Sequence, residues 1–350
     1  MSASGPPPPH LPEPPDTSHT LPASLTRRTV LRALGGTLVA AAVGTAVYGS
    51  VSSAAAGGDL HASLTLIAPA AAGGGWDTVA RELQQAQKAN GLVNNVQVVN
   101  MPGAGGTIAL GNLSTLAGQA NNLMVGGTGL LAATLQYGSA TTLGDVTNLA
   151  VLFEEYDVIV VPADSPHRTL EELVDAWKDD PAALPWTGGG SFDELVVTDL
   201  AIAAGIDPVE TTYISSDGGG EAIQALLNGT AAAAAGGYPD NIDQIESGRL
   251  RALALVAKEP VGGIDIPTAR EQGFDITLSN WRSLSAPPGL TAEETADLEG
   301  LIDETLATDE WRAAVERYHW SPRVLSGEAL EGFLAAEESR IAALYEEMGQ

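Results

Sequence analysis

Five glycine clusters carry the chemistry this sequence offers. They fall at residues 73–75, 103–106, 126–129, 188–190 and 218–220, each between an apolar β-prone run and a helical pattern. A helix N-terminus presents free N–H groups and a partial positive charge, and glycine removes the Cβ that would hold a ligand off the backbone. The chemistry is anion binding by main-chain donors, which suits a chain short of basic side chains. Any one cluster alone reads as a tight turn; five at one structural place point to a site.

Other chemistries fit less well. "VVNMPGAGGTIAL" has the spacing GxGG where a dinucleotide fold needs GxGxxG, and the following "NLMVGG" ends without a ribose-binding acid. No GxxxxGK[ST] stretch exists for a nucleotide. Ser191 in "GGGSFDE" does not make the GxSxG of a nucleophile elbow, so a secreted α/β hydrolase acting through Ser191 stays a rival reading only. Asp77 reads as the N-cap of the helix after the first cluster, ordering the loop. Trp76, Trp186 and Trp281 read as packing residues, and Arg282 as half of a structural ion pair before a carboxylate clamp.

The whole chain sets limits on this chemistry. Its 350 residues, 44% hydrophobic, can bury a sizeable core. A formal charge of −28, with lysine only at 88, 178 and 258, excludes a nucleic-acid footprint. Such acidity fits a surface kept soluble in high salt, and equally a compositional habit of the source. Cysteine is absent, which removes disulfides, thiolate nucleophiles, cysteine zinc sites and a lipid-bearing cysteine. His61, His167 and His319 are widely spaced and form no metal-ligand pattern; neither a cofactor nor a metal is expected.

Residues 1–25 are proline-rich with few large apolar groups and read as a disordered head. Residues 26–56 hold Arg27-Arg28, a mild apolar run and an Ala-x-Ala ending at Ala56: an export signal of twin-arginine type. The run is short of the ~20 apolar residues a membrane span needs. The protein is expected outside the cytoplasm, periplasmic or at the cell surface, with an uncleaved leader as one means of tethering.

The elements that position the clusters alternate: "LTLIAP" then "WDTVARELQQAQKA", "VQVVNMP" then "GGTIALGNLSTLA", "NLMVGG" then "LLAATLQ", "DVIVVPAD" then "TLEELVDAWKDD". "LPWTGGG", "TTYISS" and "AAAAAGGY" each precede a helical stretch in the same way, and "LRALALVA" closes the series. This predicts an α/β fold with mainly parallel sheets, the clusters lying at the carboxyl edges of the strands. After "NWRSLSAPPGL" the chain reads as helical, residues 291–318 and 326–349, with no strand between; Thr291 opens the first with a capping box and Ser326 caps the second.

Together, "APAAAGGGWDTVAREL", "VVNMPGAGGTIAL", "NLMVGGTG", "YDVIVVPADSPHRTLEELVDAWKDDP", "YISSDGGGEAIQALLNG", "GRLRALAL" and "DIPTAREQGFDITLSNWRSLSAPPGLT" resemble the solute-binding component of tripartite tricarboxylate transporters, the TctC or Bug receptor family. The likeness runs from Leu64 to the C-terminus. It implies a two-lobed periplasmic-binding-protein fold of the second type, with lobe one at 59–156 plus 279–350 and lobe two at 157–278. It further implies a monomer that binds a small organic anion, a di- or tricarboxylate or a relative, and passes it to one large and one small membrane subunit; a sensor protein is the alternative partner. Carried over, the ligand seat is Ala72, Gly73, Gly74, Gly75, Trp76 and Asp77, with Thr128 and Gly129 beside it. The facing lobe offers Gly189, Gly190 and Ser191, then Ser216, Asp217, Gly218 and Gly219, and Tyr238. Residues 103–107 match a family motif whose role stays open. One departure stands out: where relatives continue the second-lobe loop into a "GTDH"-like stretch, this chain reads "GGGSFDELVVTDL". It lacks the histidine and places Asp193 and Glu194, expected to face solvent, near the seat.

Overall fold

Strand β1 (Ser63–Ala68) is buried along nearly its whole length, as an apolar run covered on both faces must be. It leads through the first glycine loop into helix α1 (Gly75–Ala89), whose Val79, Leu83 and Ala86 recur at helical spacing on the buried side while Arg81, Gln85 and Lys88 face water. The computed structural model describes residues 60–216 and 218–349. The proline-rich head, the export signal and Asp217 lie outside them.

The same unit repeats in β2 (Asn95–Asn100) with α2 (Thr107–Ser114) and β3 (Asn122–Gly127) with α3 (Thr128–Gln136), and β1 pairs in parallel with both β2 and β3. Strand β4 (Thr147–Glu155) belongs to the same sheet and is followed, after the single residue Tyr156, by β5 (Asp157–Pro162) in a second sheet. That sheet holds β6 (Trp186–Gly188), β7 (Tyr213–Ser215), β8 (Ala233–Gly237) and β9 (Leu250–Leu255) in the order β7-β6-β8-β5-β9. Helices α4 (Leu170–Asp179), α5 (Ser191–Ala204), α6 (Gly219–Leu227) and α7 (Tyr238–Glu246) connect its strands. The chain returns to the first sheet at β10 (Asn280–Ala286), continues through α8 (Ala292–Leu306), α9 (Asp309–Arg317) and β11 (Ser321–Leu325), and ends in α10 (Gly327–Glu347). The first sheet reads β11-β4-β10-β3-β1-β2.

The α/β class holds, and the expectation of mainly parallel sheets is corrected. The pairs β3–β10, β10–β4, β4–β11, β8–β5 and β5–β9 are all antiparallel. For the four pairs made by β5 and β10 the reason lies in the two passages between sheets, since these strands enter from the other sheet and arrive in the opposite direction; β11 returns along β4 after the helices α8 and α9. Three strands escaped the sequence reading, β4, β10 and β11. The last contradicts the strandless C-terminal stretch, and the helix expected over 291–318 breaks at Thr308, whose hydroxyl accepts the Trp311 N–H at 3.2 Å. Thr291 does make the capping box with Glu294. Ser326 occupies its cap position without a side-chain bond to the helix.

Each sheet has its own aromatic anchor. Phe153 stacks on Trp320 with centroids 4.1 Å apart in the first core, and Trp177 packs on Trp186 at 4.8 Å in the second. Helix α10 leans on α3, α5 and β4 together. Trp281, fully buried, donates its indole N–H to Glu337 of that helix at 3.0 Å.

Candidate functional site

The first glycine loop is held by Asp77. Because α1 begins at Gly75, Asp77 is its third residue and not its cap, which is Gly74 with no side chain to offer. From that position the carboxylate reaches back to accept the Gly73 N–H at 2.7 Å, and it takes Arg81 Nε and Asn100 Nδ2 at 2.8 Å each. Burial alone would raise its pKa; the bonds from Arg81, Gly73 and Asn100 outweigh that and hold it below the usual carboxylate range. Asp77 therefore orders the loop, and its acceptor sites are already taken.

Glycine at 75 is a packing necessity. A β-carbon there would lie 2.9 Å from Arg282 Nη2, so the bare backbone lets the guanidinium sit against the loop. Trp76 is half-buried beside it, its ring bordering Gly106 and Gly129 and lying 5.9 Å from the Arg282 guanidinium carbon. Residues 103–106 thus shape the lobe behind Trp76. Gly127 is pressed against the Trp281 carbonyl, and Thr128, fully buried, donates to the Ser279 carbonyl at 2.9 Å while accepting the Trp281 N–H at 3.0 Å. The Thr128 side chain is consumed in tying α3 to the returning chain. Gly129, with Trp76 on one side and Phe192 on the other, remains at the opening. Ala72 and Gly73 are exposed at the rim.

Across from this loop, the backbone at Gly189 passes directly against Gly218 and Gly219, so the second-sheet clusters form one surface. Gly190 and Gly218 border open space. The Ser191 hydroxyl donates to Gln136 Oε1 at 2.7 Å, and Gln136 Nε2 donates to Glu194 at 3.0 Å, joining α5 to α3. A carboxamide takes no proton from a serine, so the hydrolase reading has no base to stand on. Ser216 is turned inward, its hydroxyl 3.1 Å from that of Thr187. The Tyr238 ring is buried with Leu255, Ala257 and Ile264 and packs edge-on to His319. Of the residues singled out in the sequence, 73–76 and 129 converge on one side and 189–191 with 218 and 219 on the other; Thr128, Ser216 and Tyr238 do not present their side chains there.

The sequence reading missed the acids around Arg282. Its guanidinium pairs with Glu155, which also accepts the Trp320 indole N–H at 3.1 Å, so the ion-pair expectation for Arg282 holds. Asp193 does not face open solvent as expected: its carboxyl folds back to accept the Gly189 N–H at 2.5 Å. Burial, countered by that bond and by Arg282 but reinforced by Asp240, pushes it up to about 7. Asp157, wholly buried at the start of β5, is raised well above the ordinary range by burial first, then by Asp193, Glu155 and Asp240. Asp240 keeps a solvent-accessible face, yet flanking protein and Glu155 lift it to about 6 against the pull of Arg282. The only signal available beforehand was an aspartate heading the apolar run "DVIVVP".

Among the described residues no group of three or more His, Asp or Glu is arranged to hold a metal ion, and no helix is long and apolar enough to cross a membrane. Two surface hollows, about 450 Å³ beside Ile202 and Val209 and about 480 Å³ beside Gln85 and Arg317, touch none of these loops.

Comparison with known proteins agrees with this architecture. Residues 79–350 match the family described as tripartite tricarboxylate transporter family receptor. A UPF0065 protein from the gbd 5′ region of Cupriavidus necator is 27% identical over 194 residues, 55% of this chain and 58% of that one; the chain thus aligns with little more than half the length of that relative. Among solved structures, MatC from Rhodopseudomonas palustris with bound malate superposes with a TM-score of 0.70 at 24% identity, covering 81% of this chain and 98% of that one. A second R. palustris protein, with adipate, gives 0.73 at 20% identity over 82% and 97%. At these identities the likeness establishes the two-lobed periplasmic-binding-protein fold. With the family match spanning most of its length, the chain belongs to the tripartite tricarboxylate transporter family receptors, which are solute receptors and not enzymes.

Proposed function

We propose that this protein is an extracytoplasmic receptor that captures a small organic anion between its lobes and delivers it to a membrane transporter of one large and one small subunit. The observation that carries the reading is the Arg282 guanidinium against the bare loop at Gly75, with Gly129 lying between Trp76 of that loop's helix and Phe192 of the helix that Gly189 and Gly190 precede. Free N–H groups at the starts of α1, α3, α5 and α6 supply the donors, and Arg282 supplies positive potential beside Gly75. The relatives solved with malate and adipate support a carboxylate as ligand. Contacts come from Gly73, Gly74, Gly75, Trp76, Gly129, Gly189, Gly190, Ser191, Gly218 and Gly219, with Ala72 at the rim and Asp77 holding the first loop.

The lobes divide at Tyr156 and near Ser279, as 59–156 plus 279–350 and 157–278. One chain supplies both sides, so the receptor works as a monomer. Arg27-Arg28 and the apolar run behind them support export by the twin-arginine route, an uncleaved leader being one means of tethering. The test is a melting-shift screen of di- and tricarboxylates, aromatic acids and neutral sugars, since a ligand of the native state must stabilise it. A carboxylate is expected to raise the midpoint at millimolar concentration; a shift with a sugar and with no carboxylate would refute the reading.

A further inference from the structure

The second lobe gathers acid where an anion receptor has most use for base. Asp157 is wholly buried, and among the described residues no hydrogen-bond donor reaches either of its oxygens. Another carboxyl, that of Asp193, stands nearby, its Oδ2 against Gly236 of β8, whose neighbour Gly237 pairs with Asp157; two carboxyls so placed repel when both are ionised and favour a shared proton. Asp240 on α7 and Glu155 at the end of β4 add their charge to the same place. The Tyr213 hydroxyl on β7 is buried without a partner and lies, like Asp193, against Gly188. Against these stands one cation, Arg282 on β10, whose Nη2 is already engaged by Glu155 and whose Nε is unpartnered although the residue is only 7% exposed.

Buried carboxyls in such company either keep protons or receive a positive charge. A metal ion is disfavoured, because no three acids here are placed to ligate one. A protonated amine is suited: its three N–H donors can be divided between the two Asp157 oxygens and Asp193 without demanding a coordination geometry. The acids adjoin Arg282, and Arg282 adjoins the loop at Gly75, so one ligand can span both.

We propose that the ligand is an amino-carboxylate, its carboxylate received by the N–H groups at the starts of α1 and α3 and its ammonium by Asp157 and Asp193. The inference rests on the anion seat proposed above and adds the second charge. Binding then draws the two lobes together through one molecule, with the negative end on the first and the positive end on the second. Because the ammonium takes the place of the shared proton, that proton is released to solvent on binding.

The experiment is calorimetric titration of the purified mature protein with matched pairs, aspartate against succinate and glutamate against glutarate, extended to a panel of small amino acids, in two buffers of different ionisation enthalpy near pH 6.5. An amino acid is expected to bind at least about tenfold more tightly than its deaminated counterpart, with proton release that the counterpart lacks. In Asp157→Asn the preference for the amine and the proton release are both expected to vanish; its melting midpoint, at or above the parent's, certifies the fold, and Asp240→Asn should weaken the preference in part. Plain carboxylates binding as tightly as the amines, without proton release, would overturn the ammonium subsite and leave the anion receptor standing. If no amino acid in the panel binds the inference falls, and if a neutral sugar alone binds, both readings fall.

Discussion

The Ser191 hydroxyl on α5 donates to the Gln136 carboxamide on α3 at 2.7 Å, a side-chain bond between a helix of the second lobe and a helix of the first. Gln136 completes the link by donating to Glu194, so one residue holds two positions of the facing helix. Ser191→Ala removes one such bond from a half-buried place. A loss of about 1 kcal/mol in unfolding free energy is expected by denaturant titration, with no hydrolytic activity to lose in either protein.

Asp77→Ala should cost more. Three donors converge on that carboxylate, and its loss leaves the Gly73 N–H and Asn100 without their acceptor. We expect about 2 kcal/mol of destabilisation, and ligand affinity weakened at least in proportion because the loop loses its fixed shape. Asp77→Asn should restore less than half of the stability, since an amide cannot accept at both positions.

Gly127 and Gly190 make a matched pair. At Gly127 a new β-carbon meets the Trp281 carbonyl, a backbone atom that cannot swing aside, whereas at Gly190 it meets open space. Gly127→Ala is expected to destabilise by about 3 kcal/mol or more, or to abolish soluble expression. Gly190→Ala should leave the melting midpoint within about 1 °C while lowering affinity for the carboxylate, by crowding the mouth of the seat.

Stability should fall as pH rises through neutrality. Asp193 holds its proton up to about 7 and Asp240 up to about 6, against an ordinary 3.8 for each. Between about pH 4 and 7 the folded state therefore binds more protons than the unfolded chain, and the stabilisation is lost as the pH climbs through that window. Asp77 and Glu294, held low, act in the opposite sense and matter only as the pH drops below the usual carboxylate value. Ligand-free protein should melt higher at pH 5 than at pH 8, and Asp157→Asn should flatten the difference. A midpoint that rises steadily to pH 8 would contradict the charge arrangement around Arg282.

The glycine loops were legible in the sequence because their information is local: a glycine run between a β-prone stretch and an amphipathic helix specifies a strand end, a turn and a helix start within some fifteen residues. Strand β10 was not, for the opposite reason. "NWRSLSA" carries Asn280, Arg282, Ser283 and Ser285, all buried, and reads as a loop until Glu155 and Asn148 arrive from β4 to satisfy Arg282 and Ser285. The direction of Asp193 was hidden in the same way. At a helix N-terminus an aspartate can face water or fold back, and Gly189 decides it here. The acid cluster itself comes from β4, β5, α5 and α7, segments that no window of sequence places side by side.

The position of β10 between β3 and β4 also sets an order of events. The second lobe is one unbroken stretch of chain and can complete its sheet as soon as β9 is made. The first lobe cannot: its two halves have no edge in common until a strand synthesised more than a hundred residues after β4 is threaded between them. The later-made lobe, in assembly, is thus the one that begins at the N-terminus. Until β10 arrives, the apolar edges of β3 and β4 stand open, making this interval the one in which the nascent receptor most needs shelter from other chains.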